Sequence, residues 1–361
     1  MTDLTLLQSG AMVAAASSHG CPAHLTYLES GVVGLIQGVT ELFPISSLGH
    51  NVLLPALVGG SWASDLNVAA SESPYLAYIV GLHVATAIAL LIYFWRDWVR
   101  IVKGFFSSLR QFAQPEEGTS RWHLQTVDQR LAWMIIVATI PVGLVGLKFE
   151  HEFRVLFGKP IRAAIFLVIN GLILLAGEFF RRKASVRADE QIAQEREPVA
   201  VGGGRRTGTA RHAAGHQAER EAEYELGVQS DQRLSMQGYL SALLIGTAQI
   251  LALLAGISRD GVAMVAGMFR GLSREDAARF AFLLATPVIL AAGVLKVPDL
   301  TGPLGKGIQG QILVGSVLSG VGAYLSVRFL VKYFRTRTLT PFGIYCIVVG
   351  LGSIIYLSVA Q

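Results

Sequence analysis

Residues 37–50 read QGVTELFPISSLGH and residues 249–261 read QILALLAGISRDG, and both stretches place polar or ionisable groups inside otherwise apolar sequence. Such side chains are costly at bilayer depth and usually face a protein interior or a water-filled cavity, so both stretches are candidate functional sites. Gln37 lies nine positions before Ser46, and Gln249 lies nine positions before Ser258. This shared spacing indicates a duplicated element whose two copies form one site.

The overall composition is that of a membrane protein. Of 361 residues, 52% are hydrophobic and only 15% are charged, and the mean hydropathy is +0.50, as in polytopic membrane proteins. The net charge of +5 comes from Lys and Arg residues between apolar runs, where membrane orientation explains them better than nucleic-acid binding does. Cys21 and Cys346 lie near opposite ends, which gives neither a disulfide framework nor metal-ligand spacing.

Apolar runs long enough to cross a hydrocarbon core, which takes roughly 17 to 25 helical residues, predict transmembrane spans. There are six of them, at about 76–94, 131–147, 161–180, 280–297, 311–330 and 341–359. Two further segments, 31–58 and 238–270, are apolar but interrupted by Gly, by Pro in the first, and by polar residues near their middles. Because non-helical backbone at membrane depth must be buried in protein or line a cavity, we interpret both as re-entrant helical hairpins.

Basic residues set the expected orientation. The loops after the first, third and fifth spans are rich in Lys and Arg, so they are expected on the cytoplasmic side. The first hairpin then enters the membrane from outside. The second hairpin, preceded by Arg233, enters from inside, and we interpret the basic residues around its end as orientation markers. These residues are Arg270, Arg274 and Arg279.

The expected fold is all-α, an inverted repeat in which each half is a re-entrant hairpin followed by three transmembrane helices. An N-terminal tail at 1–30 precedes the first repeat at 31–183, and the second repeat covers 236–361. Residues 184–235, rich in Gly, Ala, Arg, Glu and Gln, have no apolar periodicity and are predicted to form a disordered cytoplasmic linker. Inverted repeats with broken helices place their site near the bilayer midplane, where the halves meet.

The first interrupted segment offers a carboxylate, two hydroxyls and an imidazole. Glu41 and Gln37 stand four positions apart and share a helix face, where the carboxylate can hold a divalent metal or act as a base. Ser46 and Ser47 follow a proline at an expected helix break, where freed backbone N–H groups favour anions. His50 follows within reach of a serine hydroxyl, as is required of a base that activates a nucleophile.

In the second segment Arg259 is the strongest single signal, because a guanidinium keeps its charge and fits phosphate oxygens. The anion that it needs is a ligand phosphate or a carboxylate, either Glu41 or Asp260. Neighbouring glycines favour close approach of the backbone, and Ser258 suits a helix cap or a phosphate. These groups suit an oxyanion-rich lipid, without choosing between cleaving it and carrying it.

At these positions the chain resembles the undecaprenyl pyrophosphate phosphatase family, also called bacitracin-resistance proteins, over nearly its whole length outside the first 30 residues and the linker. The first family motif is matched at Gln37, Gly38, Thr40, Glu41, Pro44, Ser46, Ser47, Gly49 and His50. The second, Pro-Gly-x-Ser-Arg-Ser-Gly-x-Thr, is matched at Gly256, Ser258, Arg259 and Gly261. It differs at Ala255, Asp260 and Ala263, which stand where the family has Pro, Ser and Thr.

The resemblance implies hydrolysis of undecaprenyl pyrophosphate to the monophosphate carrier lipid used in cell-wall synthesis, which confers bacitracin resistance. It also implies a site open to the outer face of the bacterial plasma membrane and a divalent cation, Mg²⁺ or Ca²⁺. By position, Glu41 and Gln37 contribute to the metal and pyrophosphate site, while Ser258 and Arg259 bind pyrophosphate. With the resemblance, the predicted substrate-binding residues are Gln37, Ser46, Gly256, Ser258, Asp260 and Gly261. The implied catalytic residues are Glu41, Ser47, His50 and Arg259, with the attack served by either Ser47 or His50.

Several alternatives stay open at this point. Attack can come from a serine hydroxyl activated by His50, or from water activated by His50 or Glu41. Asp260 can weaken direct phosphate contact or recruit metal. The chain can instead be a polyprenyl-phosphate transporter (flippase), since inverted repeats with broken helices are also a transporter architecture, or a non-catalytic family member that binds carrier lipid. The expected partners are the lipid substrate and membrane lipids, without nucleic acid, and a homodimer is one open assembly.

Overall fold

The computed structural model describes residues 25–66, 74–114, 124–157, 159–195, 215–301 and 307–359, and within these ranges the secondary structure is helical without strands. The first half contains α1 (Tyr27–Leu42), α2 (Ser47–Val58), α3 (Gly60–Asp65), α4 (Pro74–Tyr93), α5 (Trp95–Ala113), α6 (Val127–Phe157) and α7 (Pro160–Glu195). The second contains α8 (Gly215–Ser235), α9 (Tyr239–Ala248), a 3₁₀ turn (Gln249–Leu253), α10 (Arg259–Phe269), α11 (Arg274–Thr301), α12 (Gln309–Thr336) and α13 (Thr340–Val359). The all-α prediction is confirmed.

The predicted spans fall on α4, α6, α7, α11, α12 and α13. Five helices are long and apolar enough to cross a membrane, and the number rises to seven if each of two bent helix pairs counts as one span. The chain is therefore a multi-pass membrane protein. Several helices extend beyond the apolar runs that predict them, and α6 continues to Phe157, ten residues beyond the predicted end of its span at 147.

Both interrupted segments contain a helix break where the sequence predicts one. In the first, α1 ends at Leu42 and α2 begins at Ser47. In the second, the chain passes from α9 through the 3₁₀ turn and a short non-helical stretch before α10 begins at Arg259. The expected tail at 1–30 is too long, because Thr26 caps α1 and exchanges hydrogen bonds with Glu29; residues 1–24 lie outside the described part of the chain.

Small residues let the interrupted segments pack closely against the long helices. A Cβ on Gly38 of α1 would lie 2.2 Å from the carbonyl oxygen of Ser319 on α12. A Cβ on Gly246 of α9 would lie 2.0 Å from the carbonyl oxygen of Ala138 on α6. Two further pairs, α4 with α11 and α7 with α13, join the halves. The two broken segments are thus held between helices of both halves.

The predicted disordered linker at 184–235 is wrong over its described part. Helix α7 continues to Glu195, and α8 occupies 215–235, whereas residues 196–214 lie outside the described ranges. The fully buried Asp231 of α8 accepts hydrogen bonds from Nε and Nη2 of Arg279, at 2.8 and 3.0 Å. Arg233 donates two more to Asp276, at 2.8 and 2.6 Å. Ion pairs anchor α8, which explains why its sequence lacks an apolar stripe.

The arginines interpreted as orientation markers also serve the fold. Arg279 pairs with Asp97 and Asp231, and Arg274 pairs with the buried Glu178 of α7. A buried charge without its partner is strongly destabilising, so these pairs fix α11 against its neighbours. The interpretation of Arg274 and Arg279 as topology markers alone is therefore wrong.

Candidate active site

The two helix breaks lie against each other. Ser46 Oγ accepts hydrogen bonds from the backbone N–H groups of Gly49 and Gly256, each at 3.2 Å. Ser46 is the only non-glycine residue in the described ranges with a positive φ, 69°, a strained conformation that tertiary contacts must maintain. The segments that the duplicated spacing singles out therefore meet at a shared turn.

Glu41 is the centre of the site. Its Oε1 accepts a hydrogen bond from Nη2 of Arg259 at 2.5 Å, and its Oε2 accepts one from Ser47 Oγ, also at 2.5 Å. Gln37 Nε2 donates to the same Oε2 at 2.9 Å, and His83 Nε2 lies 3.4 Å from it. The carboxylate is only 7% exposed, so a single buried group joins the hydroxyl of one segment to the guanidinium of the other.

Gln37 is held in one orientation. Its Oε1 accepts a hydrogen bond from Nδ2 of Asn51 at 2.5 Å, so its Nε2 is the atom that faces Glu41. Both amides are fully buried. Gln37 thus positions Glu41 through a hydrogen bond, and its own oxygen is engaged with Asn51.

His50 does not bond to a serine hydroxyl in the described structure. Its Nδ1 lies 2.7 Å from the carbonyl oxygen of Ser46; because a carbonyl only accepts, Nδ1 carries the proton and donates. Its Nε2 lies 2.9 Å from the hydroxyl of Tyr345. The Ser47 hydroxyl instead donates to Glu41, so the carboxylate occupies the place of the base that the sequence assigned to His50.

The second segment supplies a glycine turn followed by a helix N-terminus. Gly256 has φ 111°, and a Cβ there would lie 2.3 Å from the carbonyl oxygen of Ala163, so only glycine fits. Ser258 caps α10, since its Oγ accepts the N–H of Gly261 at 3.1 Å. Because α2 and α10 both begin at the shared turn, the positive ends of two helix dipoles lie there, which favours a bound anion.

Asp260, which departs from the family motif, lies inside the protein. It is 1% exposed, its Oδ1 lies 3.6 Å from Arg259 Nε, and neither carboxylate oxygen accepts a hydrogen bond from the described residues. Gln249, the counterpart of Gln37 by spacing, is equally buried, and its amide atoms have no hydrogen-bond partner there either. The second segment therefore does not reproduce the hydrogen bonds that engage both carboxylate oxygens of Glu41.

Sequence reasoning missed two residues of the site, His83 and Asn170. The Nδ1–H of His83 donates to the carbonyl of Ile79 at 2.9 Å, which turns Nε2 toward Glu41 and Gln37. Asn170, fully buried on α7, accepts the N–H of Ser258 at 3.0 Å and donates to the carbonyl of Pro44 at 2.9 Å. The only signal for either was a polar residue surrounded by apolar sequence, outside any motif.

We expect Asn170→Ala to lower kcat/KM about tenfold or more. The substitution removes the hydrogen bonds that link both helix breaks to α7, and small displacements at a reacting centre are costly. The unfolding free energy should fall by about 1–3 kcal/mol, since a buried donor and acceptor lose their partner. Thr286→Val, which removes a buried hydroxyl on α11, is the control and should lower stability alone. Wild-type kcat/KM in a destabilised Asn170→Ala protein would show that Asn170 is structural only.

The site provides few ligands for a metal. Within the described ranges no group of three or more His, Cys, Asp or Glu side chains is placed to hold an ion. Glu41 offers carboxylate oxygen atoms, which are the ligands that Mg²⁺ and Ca²⁺ prefer. Gln37, the other predicted metal ligand, turns its amide nitrogen toward Glu41 and its oxygen toward Asn51, so it presents no oxygen beside that carboxylate. Mg²⁺ is commonly held by one or two carboxylates together with substrate phosphates, so Glu41 fits a cation that arrives with its phosphate ligand.

Comparison with known proteins identifies the family. Residues 30–352 match the family described as "Bacitracin resistance protein BacA". The chain is 56% identical over 337 residues to an undecaprenyl-diphosphatase of Mycolicibacterium paratuberculosis, across 93% of this chain and 99% of that protein. It is 52% identical over 348 residues to undecaprenyl-diphosphatase 2 of Frankia alni, across 90% of this chain and 96% of the relative. The chain belongs to the bacitracin resistance protein family.

Proposed function

We propose that this protein hydrolyses undecaprenyl pyrophosphate to undecaprenyl phosphate and inorganic phosphate, the activity that its relatives' names suggest. The observation that carries the proposal is the pair of 2.5 Å contacts from Glu41 to Ser47 and to Arg259. They bring together a hydroxyl, an acceptor for its proton and a cation suited to phosphate. Recycling of the carrier lipid, and with it bacitracin resistance, follows from this reaction.

The pyrophosphate is proposed to bind at the shared turn. Arg259 would neutralise charge on the transferred phosphoryl group, whose transition state depends mainly on positioning and electrostatic stabilisation. Backbone N–H groups at the starts of α2 and α10 would contact phosphate oxygens. In this arrangement Ser46 and Ser258 shape the binding turns through their caps, and the two glycines, Gly256 and Gly261, let the backbone approach.

Ser47 is the proposed nucleophile and Glu41 its base. The Ser47 oxygen would attack the terminal phosphorus, its proton would pass to Glu41, and the bond from phosphorus to the bridging oxygen would break to release the lipid monophosphate. Glu41 would pass this proton to the lipid phosphate as it leaves and so become a base again. It would then deprotonate a water whose oxygen attacks the phosphoserine, and as the bond from phosphorus to Ser47 Oγ breaks, the proton would return from Glu41 to Ser47 and inorganic phosphate would be released. His83, whose Nε2 faces Glu41, is placed to stabilise the carboxylate in its ionised form.

The proposed membrane arrangement is an inverted repeat with re-entrant hairpins and a site open to the outer face. Its support is reciprocal packing: α1 contacts α12 as α9 contacts α6, while α4 pairs with α11 and α7 with α13. If α1, α4, α6 and α7 of the first half correspond to α9, α11, α12 and α13 of the second, each of these contacts has its counterpart in the other half. The basic loops after the first, third and fifth spans support a cytoplasmic location for those ends and for α8.

A divalent cation is proposed to bind with the substrate, held by Glu41 and by pyrophosphate oxygens, while Gln37 would position Glu41. Such an ion supplies charge neutralisation at the phosphoryl group. The protein's own part is to hold Glu41 in place through Gln37, Ser47 and Arg259.

The test is release of inorganic phosphate from undecaprenyl or farnesyl pyrophosphate by the detergent-purified chain, with and without EDTA. We expect release that EDTA abolishes and that added Mg²⁺ or Ca²⁺ restores. Release unaffected by EDTA would remove the metal from the proposal and leave the phosphatase. A folded protein that binds the lipid without releasing phosphate would instead favour a transporter or a non-catalytic carrier.

A further inference from the structure

A cavity of about 770 Å³ lies where the C-terminal end of α4, the start of α5, α8, the N-terminal end of α11 and the C-terminal part of α12 meet. None of its lining residues belongs to the Glu41–Arg259 site. Asp231 and Arg279 fix α8, which forms one wall, by the buried ion pair described above. The cavity is therefore a built feature of the fold with no role in the proposed reaction.

The direction of α5 places this cavity at the depth of lipid headgroups. Helix α5 is bent by 86° from α4, so it runs across the axis of the span that precedes it. It carries an exposed apolar stripe with helical spacing, formed by Trp95, Val99, Val102, Phe106 and Leu109. A helix with such a stripe lies in the membrane interface, and Trp is enriched at that level. The start of α5 lines the cavity, so the cavity opens at the same level.

The cavity carries a surplus of positive charge. Six basic and four acidic side chains line it. Three of the acids are paired with bases at the cavity: Asp97 with Arg279 at 2.8 Å, Glu221 with Arg96 at 3.1 Å and Glu275 with Arg335 at 3.3 Å. The fourth, Glu223, accepts the hydroxyl proton of Tyr93.

Two of the lining arginines form no ion pair with the described residues. They are Arg220 on α8 and Arg328 on α12, and both are exposed at the cavity. Because the acids nearby already have partners, these two guanidinium groups are available to an anion from outside the protein. Arginine pairs with phosphate oxygens in a bidentate geometry, which makes phosphate the chemistry that fits best.

We propose that this cavity binds the headgroup of an anionic phospholipid, with the phosphate against Arg220 and Arg328. The walls favour a lipid over a free phosphate. Ile92 and Trp95 line the cavity and are each 59% exposed, so an apolar surface leads from it to the outside of the bundle, where acyl chains lie. The bound lipid contacts α4, α8 and α12 together, which ties the α8 segment to the membrane helices.

The test is native mass spectrometry of the purified full chain, titrated with phosphatidylglycerol and, separately, with phosphatidylcholine. We expect one retained phosphatidylglycerol per chain and weaker retention of phosphatidylcholine. The double variant Arg220→Gln/Arg328→Gln should bind phosphatidylglycerol about 25-fold more weakly, since each basic residue at an anionic membrane surface contributes a factor of about five. Its phosphate release should be unchanged, because neither residue touches the Glu41–Arg259 site.

The matched control is Lys103→Gln/Arg337→Gln, which removes two exposed positive charges from α5 and from the end of α12, outside the cavity. This variant should retain near wild-type affinity. An equal loss of phosphatidylglycerol affinity in both double variants would show that general surface charge causes the binding, and would overturn the proposed site. Displacement of the lipid by millimolar inorganic phosphate would overturn the choice of a lipid ligand. Both outcomes are independent of whether the chain hydrolyses pyrophosphate.

Discussion

Arg259→Ala should lower kcat/KM for phosphate release by about 1,000-fold, since an arginine that stabilises phosphoryl transfer is worth about 10³ to 10⁵ in rate. The residue lies at the start of α10 and contacts Glu41, so its loss removes both the phosphate-binding cation and the tie between the two segments. Steady-state measurement of phosphate release from farnesyl pyrophosphate gives the value directly.

Stability must be separated from chemistry in this experiment, because the substitution leaves the buried Glu41 without its cation. Arg274→Ala is the matched control: it breaks an ion pair to the buried Glu178, which keeps a second partner in Arg182, just as Glu41 keeps Gln37, Ser47 and His83. The control should lose thermal stability and keep its turnover. Turnover near the wild-type rate in a folded Arg259→Ala protein would remove Arg259 from the mechanism.

Hydrophobic run length predicted the long helices α4, α6, α7, α11, α12 and α13, because the bilayer imposes a minimum length on an apolar helix. Gly, Pro and polar residues predicted the two helix breaks. The same sequence criteria did not predict the helix at 215–235. Helix α8 is held by the ion pairs of Asp231 and Arg233, whose partners Arg279 and Asp276 come more than 40 residues later in the chain. From sequence alone, a charge-rich segment without apolar periodicity is predicted to be disordered. Long-range ion pairs leave no local pattern in one sequence.

The site was predictable where residues cluster in sequence and not where they come from other helices. Glu41, Ser47 and Arg259 were found because they interrupt apolar stretches, and the structure brings them together. His83 and Asn170 belong to no motif, and a polar residue surrounded by apolar sequence usually has a structural role. The spacing of His50 suggested a serine hydroxyl as its partner, but its ring nitrogens contact the backbone carbonyl of Ser46 and the hydroxyl of Tyr345.

Glu41→Gln and Ser47→Ala should each lower kcat by about 10² to 10⁴, the range for loss of a general base or of the group that it activates. The Ser47 hydroxyl has Glu41 Oε2 as its acceptor, so either substitution removes the proton transfer that creates the nucleophile. Glutamine keeps the size of the buried side chain and limits the structural effect. His50→Gln should cost less than either, since both ring nitrogens bond away from Ser47.

The double variant Glu41→Gln/Ser47→Ala distinguishes the two routes of attack. If Ser47 is the nucleophile and Glu41 its base, the double variant should be no slower than the slower single variant, because groups that act as a unit are strongly non-additive. If Glu41 instead activates water, Ser47→Ala should retain most of its rate while Glu41→Gln does not. A loss in His50→Gln as large as that in Glu41→Gln would contradict both routes, in which Glu41 is the base, and would require the imidazole to leave Tyr345 during turnover. Trapping of ³²P on the wild-type chain but not on Ser47→Ala would identify the serine as the phosphorylated group.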